Sequence, residues 1–230
     1  MRQYRNEWKY CCGEGTLAAL ETRLGALLEA DENSGKNGVY TVHSLYFDDY
    51  RCSCASDTEA GLSKRFKYRI RYYGDDARFI RLERKEKLYG RCRKESCLLT
   101  PEQYEKITSG DCADFIYEFP DTLLARFCTD ILTYGFEPKV IIDYERTAFT
   151  ELAANVRVTI DRNISASKDT ENFLTRDYLA IPIQQKARHI LEVKFDGILP
   201  SYIRRIISDR ELSQTSFSKY YYGLCAVKRR

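Results

Sequence analysis

Charged and apolar side chains alternate in two consecutive segments of the sequence, FKYRIRY (residues 66–72) and IRLERKEK (residues 80–87). The charged residues of the shared pattern are Lys67, Arg69, Arg71, Arg81, Glu83, Lys85 and Lys87. A period of two predicts β-strands, each with one strongly charged face. Gly74, Asp75 and Asp76 predict a turn between them, so the two segments form a hairpin.

A single hairpin of this kind is most simply interpreted as an antiparallel sheet whose polar face is in water. Two cations that face each other about 5 Å apart across a ladder repel by roughly 3 kcal/mol at an effective dielectric near 20. A solvated face therefore usually mixes the two signs of charge. Basic alternation that recurs on other strands would instead indicate an anionic ligand.

The length and the hydrophobic fraction of 43% predict one globular domain over residues 1–230, and they also allow two domains without requiring them. The net charge of +3, from 37 basic and 34 acidic residues, does not by itself indicate nucleic-acid binding. The nine cysteines contain no paired zinc-type spacing, and the lack of a secretory signal predicts reduced thiols and a cytoplasmic location. No apolar run approaches the roughly 18 residues of a membrane span.

The same reasoning along the chain predicts about eight strands and several helices. The further strands are Tyr4–Tyr10, Val39–Asp48, Arg91–Leu98, Lys139–Phe149, Val156–Asp161 and His189–Asp196. The helices begin at Thr16, Thr100, Asp121, Pro200 and Phe217. Irregular structure is expected over residues 33–38, 49–64 and 162–177. His43 and His189 share strand faces with apolar residues, so we expect structural roles for them.

These elements predict an α+β fold in which eight antiparallel strands close into a β-barrel and so remove the exposed sheet edges. The apolar stripes of the helices need a sheet face to cover. We therefore expect the helices outside and the charged faces inside, as a basic tunnel. The interior would hold Lys9, Lys67, Arg69, Arg71, Arg81, Lys85, Lys87, Arg146, Arg157 and Lys194, with Glu7, Glu83 and Glu192 among them.

Enclosed cations remain charged only where anions compensate them, and a polyphosphate matches several arginine forks and lysine charges best. Glu7, Glu83 and Glu192 would neutralise some of the cations and could bind a divalent metal through hard oxygen ligands. Mg²⁺ or Mn²⁺ fits such ligands, whereas zinc does not.

Several short motifs together resemble the VTC polyphosphate polymerase domain, within the triphosphate tunnel metalloenzyme superfamily. They are Glu7-Trp8-Lys9, Ser44-Leu45-Tyr46-Phe47-Asp48, Lys67-x-Arg69-x-Arg71, Glu83-x-Lys85, Tyr144-x-Arg146, Glu192-x-Lys194-Phe195 and Ser218-Lys219. The resemblance covers nearly the whole chain and implies a tunnel that takes ATP and a divalent metal, preferably manganese. Such an enzyme transfers the γ-phosphoryl group of ATP to the end of a polyphosphate chain.

The resemblance also implies roles for individual residues. The catalytic cations would be Lys67, Arg69, Arg71, Lys85, Arg146 and Arg157. Further phosphate-binding or tunnel-lining residues would be Lys9, Arg81, Lys87, Lys94, Tyr144, Lys194, Ser218 and Lys219. Glu192 would ligate the metal, and the carboxylate oxygens of Glu7 and Glu83 add these two residues to the predicted metal ligands. The alternation alone does not decide which face of its strand carries Lys94.

One departure separates the chain from the hydrolytic members of that superfamily, which carry E-x-E-x-K on the first strand. Here Arg5 occupies the first acidic position, which favours the polymerase. Two alternatives remain open: a metal-dependent triphosphatase of the same fold, and a non-catalytic polyphosphate-binding module. A closed tunnel should exclude duplex nucleic acids, and the membrane-associated members of the family leave a membrane protein open as a partner.

Overall fold

The computed structural model describes residues 4–31, 38–208 and 211–229. These ranges form a mixed fold of helices and one large antiparallel sheet. The strands are β1 (Asn6–Gly13), β2 (Glu29–Ala30), β3 (Val39–Asp48), β4 (Lys64–Tyr73), β5 (Asp76–Leu88), β6 (Arg91–Leu99), β7 (Glu137–Glu151), β8 (Val156–Ser167), β9 (Ile181–Pro182), β10 (Arg188–Phe195) and β11 (Ser213–Gln214). The helices are α1 (Glu14–Gly25), α2 (Ser53–Glu59), α3 (Pro101–Ser109), α4 (Asp114–Glu118), α5 (Leu123–Tyr134), α6 (Ser201–Ile207) and α7 (Lys219–Lys228).

The strand order in the sheet is β11-β1-β10-β8-β7-β3-β4-β5-β6, with β2 paired to β7 and β9 paired to β8. The predicted closure into an eight-stranded barrel is not supported, because no continuous ladder joins the two ends of this order. Among the described residues, one isolated antiparallel bridge connects them, between Arg5 and Cys92. Both backbone hydrogen bonds of that bridge are 2.9 Å long.

The apolar face of β4 and β5 packs beneath α5, as the alternation predicts. Tyr68 and Leu82 are fully buried there, and the ring of Phe127 on α5 lies 4.4 Å from that of Tyr68. A second core lies under α1 and α6, where three leucines of α1 contact Val158 and Leu191. Burying one leucine side chain contributes roughly 1.5–3 kcal/mol, so these contacts fix which sheet face is covered.

Helix α7 lies on the other face, against the charged side of the sheet, whereas we expected every helix outside. Its Tyr220 ring stacks on Tyr46 at 5.1 Å. Gly223 permits the close approach, because a Cβ there would overlap Ile142 Cδ1 and lie 3.3 Å from Ala166 Cβ. The placement explains how the residues at the start of α7 reach the functional site.

Several local predictions differ from the structure, and the helices expected from Asp121 and Phe217 start two residues later, at Leu123 and Lys219. The first helix starts at Glu14 and not at Thr16, and no side-chain hydrogen bond caps its start. Residues 49–64 are not wholly irregular, since α2 forms there on backbone N–H bonds to the buried Asp48 carboxylate. The loop expected from residue 162 begins later, because β8 continues to Ser167. Most of the loop expected over residues 33–38 lies outside the described residues.

Candidate functional site: a basic cavity

A cavity of about 550 Å³ lies on the charged face of the sheet. Strands β1, β3 to β8 and β10 form most of its wall, together with residues 215–220 before and at the start of α7. The lysine and arginine residues that line it are Arg5, Lys9, Arg65, Lys67, Arg69, Arg71, Lys85, Lys87, Arg93, Lys94, Arg146, Arg157, Lys194 and Lys219. The lining carboxylates are Glu7, Glu192 and Asp196. Such a surface fits a multiply charged anion.

Glu83 holds the cations of neighbouring strands in place. Its fully buried carboxylate accepts hydrogen bonds from Arg69 Nε and from Lys94 Nζ, both at 2.7 Å. Burial raises the pKa of Glu83, but Arg69, Arg71 and Lys94 outweigh that effect and hold the pKa well below its usual range. Glu83 is therefore an ionised partner of the cations, behind the cavity wall.

Arg71 is oriented by neutral oxygen atoms. Its Nε donates to Ser44 Oγ and its Nη2 donates to Tyr144 OH, both at 2.9 Å. Only 3% of its surface is exposed, and its Nη1 lies 3.8 Å from Glu83 Oε2. Because its nearest hydrogen-bond partners are uncharged, much of its positive charge remains available to a bound anion.

Lys67 and Tyr46 lie side by side near α7 and titrate close to neutral pH. Lys67 Nζ donates to Ser218 Oγ at 3.0 Å, and burial lowers the pKa of Lys67 to about 8. Burial raises the pKa of Tyr46, but Arg69, Arg71 and Lys67 outweigh it and lower the pKa to about 7. Tyr46 OH accepts a hydrogen bond from Arg69 Nη1 at 3.0 Å.

Asp161 organises a second group of cations. Its fully buried carboxylate accepts bonds from Arg146 Nε and Nη2 at 2.6 and 2.8 Å and from Lys219 Nζ at 2.5 Å. Burial raises the pKa of Asp161, but Arg146 and Lys219 outweigh it and hold the pKa below its usual range. Lys219 Nζ also lies 4.7 Å from the centre of the Tyr144 ring.

Glu7 and Glu192 share a cluster of lysines on β1, β5 and β10. Lys85 Nζ donates to both oxygens of Glu7 at 2.7 and 2.6 Å, and Lys194 Nζ lies 2.6 Å from Glu192 Oε1. Lys9 Nζ lies 3.6 Å from Glu7 and 3.4 Å from Glu192. Burial and the neighbouring Glu192 raise the pKa of Glu7, but the lysines outweigh both and lower it to about 2.

The two lining glutamates suit a hard divalent cation, because both are held ionised and offer carboxylate oxygens. Glu83 lies apart from them, paired with Arg69 and Lys94. In the part of the chain that the structure describes, no group of three or more His, Cys, Asp or Glu residues could hold a metal by itself. These residues fit a Mg²⁺ or Mn²⁺ ion that also takes oxygens from a bound phosphate.

Most of the residues singled out from the sequence line this one cavity. The predicted catalytic cations that line it are Lys67, Arg69, Arg71, Lys85, Arg146 and Arg157. The predicted phosphate-binding or tunnel-lining residues that line it are Lys9, Lys87, Lys94, Tyr144, Lys194, Ser218 and Lys219, and the predicted metal ligands that line it are Glu7 and Glu192. Two predicted residues do not line it. Arg81 is exposed at the far end of β5, and Glu83 lies behind the wall because Arg69 and Lys94 cover it.

The sequence interpretation gave no role to several residues that shape the cavity, among them Arg65, Asp161, Tyr46 and Asp196. Arg65 extends the alternation of β4 by one step, and that period could have found it. Asp161 and Tyr46 lie on the same strand faces as residues that were predicted to bind phosphate, but neither belongs to a run of alternating cations that would have indicated a role for it. Asp196 pairs with Arg5 at 2.7 Å, a contact across two strands that no local pattern specifies.

The sheet places paired, buried carboxylates beside a basic cavity, and such a lining suits a multiply charged anion. The chain belongs to the VTC domain family, whose model matches residues 4–228. The family supports a polyphosphate-related enzyme of the phosphotransferase type. This membership confirms the resemblance drawn from the sequence motifs.

The solved structures that a structural comparison matches to the chain share little sequence with it. A crystal structure from Bacillus halodurans, assigned provisionally as an adenylate cyclase, has a TM-score of 0.50 and 13% identity over 85% of this chain and 81% of its own. The PH1819 protein of Pyrococcus horikoshii has a TM-score of 0.46 and 11% identity over 97% and 96% of the two chains. A search of curated proteins found no match.

A helix that crosses a membrane must be both long and apolar. Among the helices of the described ranges, none combines the length and the apolar character that crossing a bilayer requires.

Proposed function

We propose that the protein is an ATP-dependent polyphosphate polymerase. It transfers the γ-phosphoryl group of ATP to the terminal phosphate of a polyphosphate chain, with Mg²⁺ or Mn²⁺ as the metal. The observation that carries the proposal is the convergence of lysines and arginines from seven strands on one 550 Å³ cavity. ATP and polyphosphate are ligands whose charge matches that lining, and family membership supports the same class of enzyme.

The residues of the chain would act by positioning and by charge. An oxygen of the acceptor's terminal phosphate attacks the γ-phosphorus, the bond to the β-γ bridging oxygen breaks, and ADP leaves. Arg69, Arg71 and Arg146 would offset the charge on the transferred group without moving, because each is already hydrogen-bonded in place. The acceptor oxygen is itself anionic, so the transfer needs no covalent enzyme intermediate.

Hydrolysis would require a group that activates water, and the two glutamates that line the cavity are poor bases. The lysines lower the pKa of Glu7 to about 2, and they also hold the pKa of Glu192 below its usual range. A general base works best when its pKa lies near the operating pH. Arg5 is engaged by Asp196 at the position where hydrolytic relatives would have a further carboxylate. These features favour phosphate over water as the acceptor.

A metal bound with the substrate would supply further charge stabilisation to the phosphates. Glu7 and Glu192 would hold it, and the phosphates would complete its oxygen ligands. We also propose that the working site is a closed tunnel. The two backbone hydrogen bonds between Arg5 and Cys92 support an approach of β1 to β6. A closed tunnel would admit extended phosphate chains and exclude duplex nucleic acids.

The test is to incubate the purified protein with ATP and Mn²⁺, and in parallel with Mg²⁺, and to separate the products on a gel stained for polyphosphate. The proposal predicts a ladder of long polymer with ADP formed alongside. Arg71→Ala should abolish the ladder while the far-ultraviolet circular dichroism is unchanged. Arg78→Ala is the matched control, because Arg78 lies on β5 with an 84% exposed side chain.

The other candidate functions predict different products. Free phosphate without polymer would identify a triphosphatase built on the same cavity. Tight binding of tripolyphosphate without turnover would identify a binding module. A cytoplasmic location and delivery of polymer to a membrane protein remain predictions, which fractionation of cells and capture of the polymerase with its neighbours would test.

A further inference from the structure

The charged face of β5 and β6 continues beyond the cavity. Arg71, Arg81 and Leu98 face one another across β4, β5 and β6 in the same row of the sheet. Arg71 lines the cavity, whereas Arg81 is exposed and Leu98 is 55% exposed. Phe79, two residues before Arg81 on the same face, is 62% exposed. We call Phe79, Arg81 and Leu98 the rim surface.

The facing of the rim surface follows from its neighbours. Ile80 and Leu82 are buried in the core on the opposite face of β5, and Leu99 is buried on β6. Because side chains alternate along a strand, residues 79, 81 and 98 point to the same side as the cavity lining. The core therefore leaves the rim surface uncovered next to a site for phosphates.

The composition of the rim surface differs from that of the cavity. The cavity lining consists largely of charged groups, whereas the rim surface places an aromatic ring and a leucine on either side of one guanidinium group. Exposed apolar side chains that adjoin a charged cavity suit a ligand with an anionic part and a flat, weakly polar part. Aromatic rings and arginine planes both stack on nucleobases.

We propose that the rim surface binds the nucleoside of ATP while the triphosphate lies in the cavity. This inference rests on the proposed function, since it assumes a nucleoside triphosphate as the phosphoryl donor. The base would stack on Phe79 and the Arg81 plane, and the ribose would contact Leu98. Arg71, one strand away from Arg81 in the same row, would then receive the phosphates. Stacking contacts the flat face of a base and not its hydrogen-bonding edge, so GTP should bind nearly as well as ATP.

The test compares two ligands that share the phosphates and differ in the nucleoside. Isothermal titration calorimetry would measure Kd for ATP and for inorganic tripolyphosphate, with wild type and with the double variant F79A/L98A. We expect Kd for ATP to rise about tenfold, as loss of one stacked base implies, while Kd for tripolyphosphate changes less than about twofold. Both residues are exposed, so the fold should be retained.

Tyr117→Ala is the matched control, because Tyr117 is an 84% exposed aromatic residue on α4 outside the cavity lining. It should leave both dissociation constants unchanged. An unchanged Kd for ATP in the double variant, or an equal rise for both ligands, would overturn the inference. The titrations need no turnover, so they judge the rim surface even if the protein makes no polymer.

Discussion

Asp161→Asn tests the role of the buried carboxylates in holding the cavity. The change removes one negative charge between Arg146 and Lys219, and all three side chains are at least nine-tenths buried. Removing one partner of a buried ion pair typically costs about 3–5 kcal/mol, because the remaining charge is left uncompensated. The amide keeps the size of the carboxylate and one acceptor oxygen, so we expect the lower end, about 3 kcal/mol.

Thermal unfolding would measure this loss. For a chain of this length about 3 kcal/mol corresponds to a fall in Tm of roughly 6–12 °C. Because the native pKa of Asp161 is depressed, its contribution to stability is present above the unfolded pKa near 4 and is lost as the pH falls toward the native pKa. The difference between wild type and the variant should therefore shrink below about pH 4.

The matched control is Asp76→Asn, which removes a carboxylate that pairs with Arg78 at the surface of β5. Exposed pairs of this kind contribute little to stability, so its Tm should stay close to that of wild type. A Tm of Asp161→Asn equal to that of wild type at pH 7 would show that the Asp161 carboxylate does not stabilise this group of cations. A difference from wild type that stays the same between pH 7 and pH 3 would contradict a role for its negative charge.

Three further changes probe the site. Calorimetry should show that the affinity for tripolyphosphate falls as the pH rises from about 7 to above about 8, because Tyr46 ionises and Lys67 loses its proton. Tyr46→Phe should remove the part of this fall that occurs near pH 7. A variant whose affinity depends on pH in the same way as wild type would contradict this. Gly223→Ala should lower the free energy of unfolding in urea by about 1–3 kcal/mol, whereas Gly15→Ala, at an open position, should not. Glu192→Gln should move the Mn²⁺ titration of activity to higher concentration, and an unaltered titration would exclude it as a ligand.

The alternation of β4 and β5 predicted the cavity face because the period of a strand is local. Lys67, Arg69 and Lys85 needed no long-range information to be placed on one side. The same period put Arg81 on that side, but the position where the cavity ends depends on how far the neighbouring strands extend. Closure of the sheet likewise depends on contacts between β1 and β6, which lie more than 80 residues apart.

The buried carboxylates were harder to predict because their partners lie on other elements. Glu83 was expected to ligate a metal, yet its cross-strand neighbour is Arg69 and Lys94 reaches it from β6. Asp161 meets Lys219, 58 residues away on α7, only because that helix packs against the cavity face. Sequence patterns identify charged faces, whereas the pairing among charges on a face is set by register and helix placement.

We propose above that the cavity passes the γ-phosphoryl group of ATP to phosphate and not to water. The measurement uses ATP radiolabelled at the γ-phosphate. The amounts of label in acid-precipitated polymer and in free phosphate are each compared with the amount of ADP formed. We expect label to accumulate in polymer in proportion to ADP, and we expect Arg71→Ala to abolish both. Label that appears only as free phosphate, at the rate of ADP formation, would contradict the proposal.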